Sequence, residues 1–502
     1  MSDIIFRVVI PDQKILLKTL MLKGDRGAQG VSIVSIEKTS TVGLIDYYTI
    51  TMNNGDHYYF EVKNFVLLVS SLFFYFYGEQ LYTLLMLSTI LVNYVAGLLI
   101  DKFRGSVWSK VFLWISVIIS LGSLGFFKYT DFFITNINAL AGSEIKLLSL
   151  ALPIGISFYT FQILSYTIDV YRGETTVQKS FIRLATYVSL FPQLIAGPIV
   201  RYTTVENELS KRKHSFAGFS YGATRFVIGL AKKVLIADTL DSLARTLMGL
   251  DERTVGMYWM YAIAISFQLY FDFSGYSDMA IGLGRIFGFE FLENFNYPFV
   301  SKSIAEFWRR WHMSLGTWFR DYVYIPLGGN RVSKHRWLLN ILVVWFLTGF
   351  WHGADWTFIF WGLLFAIFLL LEKLFLARIL EKIPRIFSHI YVVFVILISF
   401  VLFSANGLSG AIEDIGGMFG AGSIPLWSDM TGYYLSSYVF AFILALVGST
   451  PIVKKTVLKI KSYKTGKLIV DILEPIFVIS ILLVVTAYFV DGSFSPFLYF
   501  RF

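Results

Sequence analysis

Residues 306–361 read EFWRRWHMSLGTWFRDYVYIPLGGNRVSKHRWLLNILVVWFLTGFWHGADWTFIFW, and they hold His312 and His352, two of the six histidines. Both histidines sit among apolar and aromatic neighbours, and His352 falls in FWHGADW, at a break between two apolar runs. An ionisable side chain at membrane depth is expensive and is therefore a functional hypothesis by default. The rest of the chain reads as a membrane frame built around this segment.

Composition supports that frame. Of the 502 residues 56% are hydrophobic and 15% are charged, with a mean hydropathy of +0.64. A soluble chain of this length would carry more charge and divide into several domains. Apolar runs of about 15 to 25 residues recur along the chain, as spanning helices require. The fold class is an all-α polytopic membrane protein of roughly 10 to 12 membrane helices, some short or re-entrant. A small N-terminal β-hairpin is appended to it. The absence of cysteine excludes disulfides, thiolate metal sites and cysteine nucleophiles. A net charge of +9 is explained by Lys and Arg in short loops on one membrane side, so no nucleic-acid partner is expected. Residues 1–20 mix charges with apolar positions and show no cleavable secretory signal.

Residues 1–63 differ from the remainder. GDRGAQG (24–30) places glycine at every third position, and the runs YYTITM and HYYFEV flank Asn53-Asn54-Gly55-Asp56, a hairpin turn sequence. This stretch resembles the small collagen-linked β-modules of phage tail and surface proteins. From Asn64 onward the chain is membrane-like. Its candidate spans are 65–78, 81–100, 111–127, 147–170, 181–198, 218–236, 255–274, 337–350, 356–373, 388–405, 432–450 and 468–490.

Loop charge sets the expected orientation. The lysine-dense loop 452–467 is expected in the cytoplasm, the loop 406–431, which has no Lys or Arg, outside, and the basic stretch 372–387 inside again. The C-terminus is then outside. Residues 337–373 lie between two basic loops and must enter and return, with FWHGAD at the turn. Arms of about 14 to 16 residues span about 21 to 24 Å as helix, less than the ~30 Å of hydrocarbon. The turn is thus expected inside the bilayer, facing protein or a wet cavity.

Chemistry rests on histidine. Desolvation keeps His352 neutral, leaving a ring nitrogen as a base, and Asp355 would orient the imidazole if the turn continues helically. The competing reading is a histidine bonded to a backbone carbonyl inside a helix bundle. His312, in FWRRWH, reads as lying on an interfacial amphipathic helix, catalytic or structural with equal weight. The spacing of the two does not fit a helical metal pair, so no metal site is expected. Arg309, Arg310 and Arg320, with Arg331, are candidates to hold the phosphates of a donor such as coenzyme A; the alternative is positive-inside bias. Asp272, Ser274, Tyr276, Ser277 and Asp278 line a hydrophilic path or cap helices.

Five stretches carry a resemblance: FPQLIAGPIVRY (191–202), YFDFSGYSDMAIGLGRIFGFEFLENFNYPF (270–299), SIAEFWRRWHMSLGTWFRDYVYIPLGGNR (303–331), GFWHGADWTFIFWG (349–362) and the terminal SPFLYFRF. Together and in this order they resemble the membrane-bound O-acyltransferases, closest to the alginate O-acetyltransferase-like branch. The resemblance covers residues 64–502 as one transmembrane acyltransferase domain. NFVLLVSSLFFYFYG (64–78) resembles the second membrane helix of that branch, and the N-terminal module stands in place of the first. The resemblance implies His352 as the catalytic histidine and His312 as a second histidine associated with activity. It implies no permanently bound cofactor and acetyl-CoA as acyl donor. The acceptor is expected to be an exported polysaccharide, the partner an SGNH-hydrolase-like protein outside the cell, and the location the bacterial plasma (inner) membrane among its lipids. The rival readings are D-alanyl transfer to teichoic acid from an acyl carrier protein, and transport of donor or polymer without chemistry.

Overall fold

The structure, a computed structural model, describes residues 64–491 with their side chains. It also gives the backbone of residues 62 and 63 and of five N-terminal strands. The glycine triplets at 24–30, the turn 53–56 and the terminal SPFLYFRF lie outside the described residues. The chain divides into two compact units, Met1–Val66 and Leu67–Phe502. In the first, β1 (Phe6–Ile10) pairs antiparallel with β2 (Gln13–Leu17), and β3 (Ile33–Val42), β4 (Ile45–Met52) and β5 (His57–Tyr59) form an antiparallel sheet in sequence order.

Helices build everything that follows. α1 (Val62–Glu79), α2 (Tyr82–Lys102), α3 (Val107–Ala141) and α4 (Ile156–Arg172) come first. The short α5 (Phe181–Ser189), α6 (Phe191–Leu194) and α7 (Tyr202–Ser210) lead to α8 (Phe216–Ala231), α9 (Asp238–Met248) and the long α10 (Val255–Ile286). α11 (Ile304–Trp308) and α12 (Met313–Phe319) precede α13 (Lys334–His352), α14 (Trp356–Leu371) and α15 (Ala377–Lys382). α16 (Arg385–Ser404), α17 (Gly407–Met418), α18 (Asp429–Gly448), α19 (Ile452–Lys461) and α20 (Lys464–Val490) complete the body.

Six helical stretches among the described residues are long and apolar enough to cross a membrane: Tyr82–Lys102, Val107–Ala141, Trp356–Lys382, Arg385–Ser404, Asp429–Gly448 and Lys464–Val490. This is an all-α multi-pass membrane architecture. The other apolar runs do a different job. α4 and α10 carry Ser, Thr, Gln and Asp among their buried residues and form the interior. The run at 181–198 breaks into α5 and α6, with a proline in the first turn of α6. α8 meets α10 on paired glycines. A Cβ on Gly222 would stand 2.5 Å from the Gly282 carbonyl, and one on Gly229 2.5 Å from that of Gly275. Small residues allow this close approach, where an apolar solvent gives helices little reason to associate.

The two carboxylates of α10, Asp272 and Asp278, serve this contact. In a π-helical turn at Lys232–Ala237, the buried Lys233 pairs with the buried Asp272 at 2.8 Å and with the half-buried Asp238 at 2.7 Å. Lys232 pairs with Asp278 at 2.6 Å and Arg225 with the same carboxylate at 2.8 Å. Asp272 and Asp278 thus bind helices together, and Ser277 is bonded to Asn294.

Candidate active site

α13 and α14 form the hairpin that presents His352. Their closest approach is again a glycine pair: a Cβ on Gly349 would lie 2.2 Å from the Phe358 carbonyl, and one on Gly362 2.3 Å from that of Trp345. α13 ends at His352, Gly353 is extended, and α14 restarts at Trp356. Two expectations for this hairpin need correction. Asp355 does not continue a helical turn toward the imidazole; it is the N-cap of α14, accepting from the Thr357 amide at 2.8 Å. The arms are also longer than 14 to 16 residues. α13 has 19 residues, about 28 Å, and the helical stretch beginning at Trp356 continues for 27 residues, about 40 Å. α13 starts earlier, at Lys334, and in the second arm a π-helical segment, Glu372–Leu376, carries the helix on through the charges that follow Leu371. Burial, not arm length, is what isolates His352.

The end of α13 is held by α3. A helix C-terminus leaves its last carbonyls without intrahelical partners. Here Tyr129 donates its hydroxyl to the Phe350 carbonyl at 2.6 Å. Lys128 donates Nζ to the carbonyls of Trp351 at 2.6 Å and His352 at 3.1 Å. The Tyr129 ring also stacks on Phe350 at 4.0 Å.

The His352 side chain is 5% exposed. Its ring meets Trp351, Trp361 and Phe403 edge to face at 5.0 to 5.5 Å, and Nδ1 has no hydrogen-bond partner. It borders a cavity of about 370 Å³ whose wall includes Glu79, Lys128, Ser157, Phe158, Ile195 and Trp351. The reading of His352 as bonded to a backbone carbonyl through Nδ1 therefore does not hold. A buried polar atom without a partner is uncommon and asks for an explanation.

His312 is not on an interfacial amphipathic helix. α11 stops at Trp308, and His312 is a buried N-cap residue of α12 at φ 45°, ψ 52°. Non-glycine residues rarely occupy this left-handed region, and such strain clusters at functional sites. The ring lies edge-on to Phe273 at 4.6 Å and 6.2 Å from Trp351, so Trp351 contacts both histidines. Nδ1 is 3.2 Å from Asn294 Oδ1, and Nε2 has no partner. Other buried polar atoms without partners include the indole nitrogens of Trp308, Trp351 and Trp361, Gln162, Gln268 Oε1 and Ser274 Oγ.

None of the three candidate arginines borders the His352 cavity. Arg310 pairs with Glu306 at 2.9 Å and bonds the Asn296 carbonyl; Arg309 is exposed. Arg320 pairs with Asp321, which also takes Arg201 at 2.7 Å. Burial raises the Asp321 carboxyl, but the two guanidinium groups outweigh it and hold the group below the usual carboxylate range. Among the described residues no group of three His, Asp or Glu side chains is placed to hold a metal ion.

Lys128, Tyr129 and Asn294 escaped the sequence reading. Lys128 carried a usable signal, a lone lysine among apolar residues; Asn294 carried only its place in the 270–299 stretch.

Known proteins match the sequence of this chain. The model of the membrane-bound O-acyltransferase family matches residues 174–410. The chain is 40% identical over 408 residues to a probable alginate O-acetylase, AlgI, of Pseudomonas aeruginosa, covering 79% of this chain and 77% of that protein. It is 36% identical over 393 residues to a peptidoglycan O-acetyltransferase of Helicobacter pylori, covering 72% of this chain and 74% of that one. With a teichoic acid D-alanyltransferase of Bacillus subtilis it shares 33% identity over 226 residues, 43% of this chain and 57% of that one. The chain belongs to the membrane-bound O-acyltransferase family, and it is an O-acyltransferase.

Proposed function

We propose that the protein transfers an acetyl group from acetyl-CoA on the cytoplasmic side across the membrane toward hydroxyls of an exported polysaccharide, with His352 as general base. The observation that carries this is the buried His352 ring, with an unpartnered nitrogen, at the wall of a cavity. A neutral imidazole there takes the proton of the acceptor hydroxyl as its oxygen attacks the thioester carbonyl. The C–S bond then breaks, and the proton passes to the departing thiolate. Aromatic packing around the ring excludes water, which would otherwise hydrolyse the thioester. Arg309, Arg310 and Arg320 are proposed to meet the donor phosphates, Arg310 and Arg320 by exchanging their present carboxylate partners.

The similarity to an alginate O-acetylase and a peptidoglycan O-acetyltransferase, each over more than 70% of the chain, supports a glycan acceptor. D-alanyl transfer is the second reading, favoured only by the shorter match to a teichoic acid D-alanyltransferase. Pure transport is set aside, since the chain belongs to an acyltransferase family. We place the protein in the bacterial plasma membrane with its C-terminus outside, beside an SGNH-hydrolase-like partner that completes transfer. The test is His352→Ala in the producing cell, with ester on the exported glycan identified as acetyl or D-alanyl. Loss of acetyl ester at normal protein abundance is expected; full acetylation would sink the assignment.

A further inference from the structure

The second histidine is held by Asn294, which lies inside the 270–299 stretch but had no chemical role assigned to it there. Asn294 is completely buried, and its side chain is the hub of the turn that carries His312. Asn294 Oδ1 accepts from the Ser314 amide at 3.2 Å and from the Ser314 hydroxyl at 2.9 Å. The Asn294 carbonyl accepts from the Met313 amide at 2.9 Å, and Nδ2 donates to Ser277 Oγ at 3.2 Å. The amides of Met313 and Ser314 and the Ser314 hydroxyl, all at the start of α12, therefore end on one asparagine.

This network fixes a proton. An amide N–H can only donate, so the atom facing the Ser314 amide must be the asparagine oxygen. The same oxygen lies 3.2 Å from His312 Nδ1. Two acceptors cannot bond each other, so Nδ1 carries the hydrogen, and in the neutral ring Nε2 is the bare nitrogen. That nitrogen is buried without a partner, beside the indole that also touches His352. The left-handed backbone of His312 is the strained conformation that these bonds maintain.

We infer that Asn294 is a positioning residue that locks His312 in the Nδ1–H tautomer, making Nε2 a proton acceptor for acyl transfer. The inference rests on the proposed acetyl transfer and adds a second tuned imidazole to it. Of the titratable groups around the ring, His352 is the one that faces it. Glu293, next in sequence, is taken by Arg225 on α8, and Asp272 on α10 by Lys233.

The test is a pH profile in inverted membrane vesicles of the producing cell supplied with radiolabelled acetyl-CoA, counting ester on the glycan. Asn294→Asp keeps size and acceptor but sets a carboxylate against Nδ1, which favours the imidazolium. The acid limb of the profile should move up by about one pH unit or more, as an opposite charge at this range does. A merely structural role would scale the rate by one factor at every pH. Asn294→Ala should reduce the rate at least tenfold at every pH. In parallel, 15N spectra of histidine-labelled wild-type protein, assigned by the signals lost in His312→Gln, should show the Nδ1–H pattern. A profile for Asn294→Asp superimposable on wild type, or an Nε2–H pattern, overturns the inference. If the variants do not fold, the wild-type spectrum decides. Vesicles of wild-type protein that place no acetyl ester on glycan would refute the proposed function instead, leaving the tautomer to the spectrum.

Discussion

Replacing Gly349 by alanine adds one methyl group, and the structure says where it would go. The new Cβ would stand 2.2 Å from the Phe358 carbonyl oxygen and close to the Cα of Gly362. A tolerable carbon–oxygen contact is about 3.3 Å, so α13 and α14 must separate by about 1 Å. No side chain can yield, because both obstacles are backbone. Overpacking of this kind costs about 1–3 kcal/mol of stability. The larger effect is on chemistry. Gly349 lies one helical turn before His352, and a misplacement of about 1 Å lowers rates about a hundredfold. The assay is acetyl ester on the exported glycan, normalised to protein in the membrane, with thermal unfolding of the detergent-purified protein alongside. Gly122→Ala is the control, since a Cβ there meets no atom within 4 Å; its ester level should match wild type. Wild-type transfer and an unchanged Tm for Gly349→Ala would show that the hairpin does not need its close glycine contact.

Asp355→Ala separates a helix cap from a catalytic partner: losing an N-cap costs about 1 kcal/mol, so transfer should stay within a few-fold of wild type. A fall approaching ten-thousandfold, as when a triad carboxylate is lost, would restore the orienting role that the turn geometry denies it. Lys128→Met leaves two buried carbonyls at the end of α13 without donors, about 1–3 kcal/mol each. It should lower kcat more than tenfold, with Lys128→Arg recovering part of the loss, and equal rates for Met and wild type would refute this. For Asp321 the folded carboxyl titrates below its unfolded value, so its contribution to stability is present above the ordinary carboxylate range. It is lost as pH falls through the lowered value. Tm measured against pH should therefore fall less steeply on the acid side in Asp321→Asn than in wild type; parallel curves would argue against it.

The frame was readable because lipid imposes one rule. A spanning segment must satisfy its own backbone and present apolar side chains, so length and hydropathy reveal it. That rule says nothing about helices buried by other helices. α4 and α10 read as candidate spans in the sequence, but they are less apolar than the six spanning stretches, and the structure turns Asp169, Gln162 and Asp272 to the interior. His352 was legible for a similar reason, as an ionisable group in an apolar run beside two glycines. Its neighbours were not. Asp355 looked like a partner at helical spacing, but Gly353 is extended and ends that geometry. Lys128 is 224 residues from the carbonyl it holds, and Asn294 is 18 residues from His312 across a loop with no period. Pairings made by tertiary packing leave no periodic trace for a sequence argument to find.

The two histidines are built by opposite devices, and this bears on what each can do. His352 ends a long helix whose last three carbonyls are all bound by α3, so its backbone has little freedom. Chemistry that depends on preorganisation is best placed on such an element. His312 sits in a left-handed turn between two short helices, held by one asparagine. Its position is set by the hydrogen bonds of that asparagine and by buried aromatic packing, not by a helix. Trp351 contacts both rings, so a shift of His312 is felt at His352 through one indole. Residues sharing such a contact do not act additively. The arrangement places one imidazole on a pinned helix end against the cavity and the other in a hydrogen-bonded turn across the same indole.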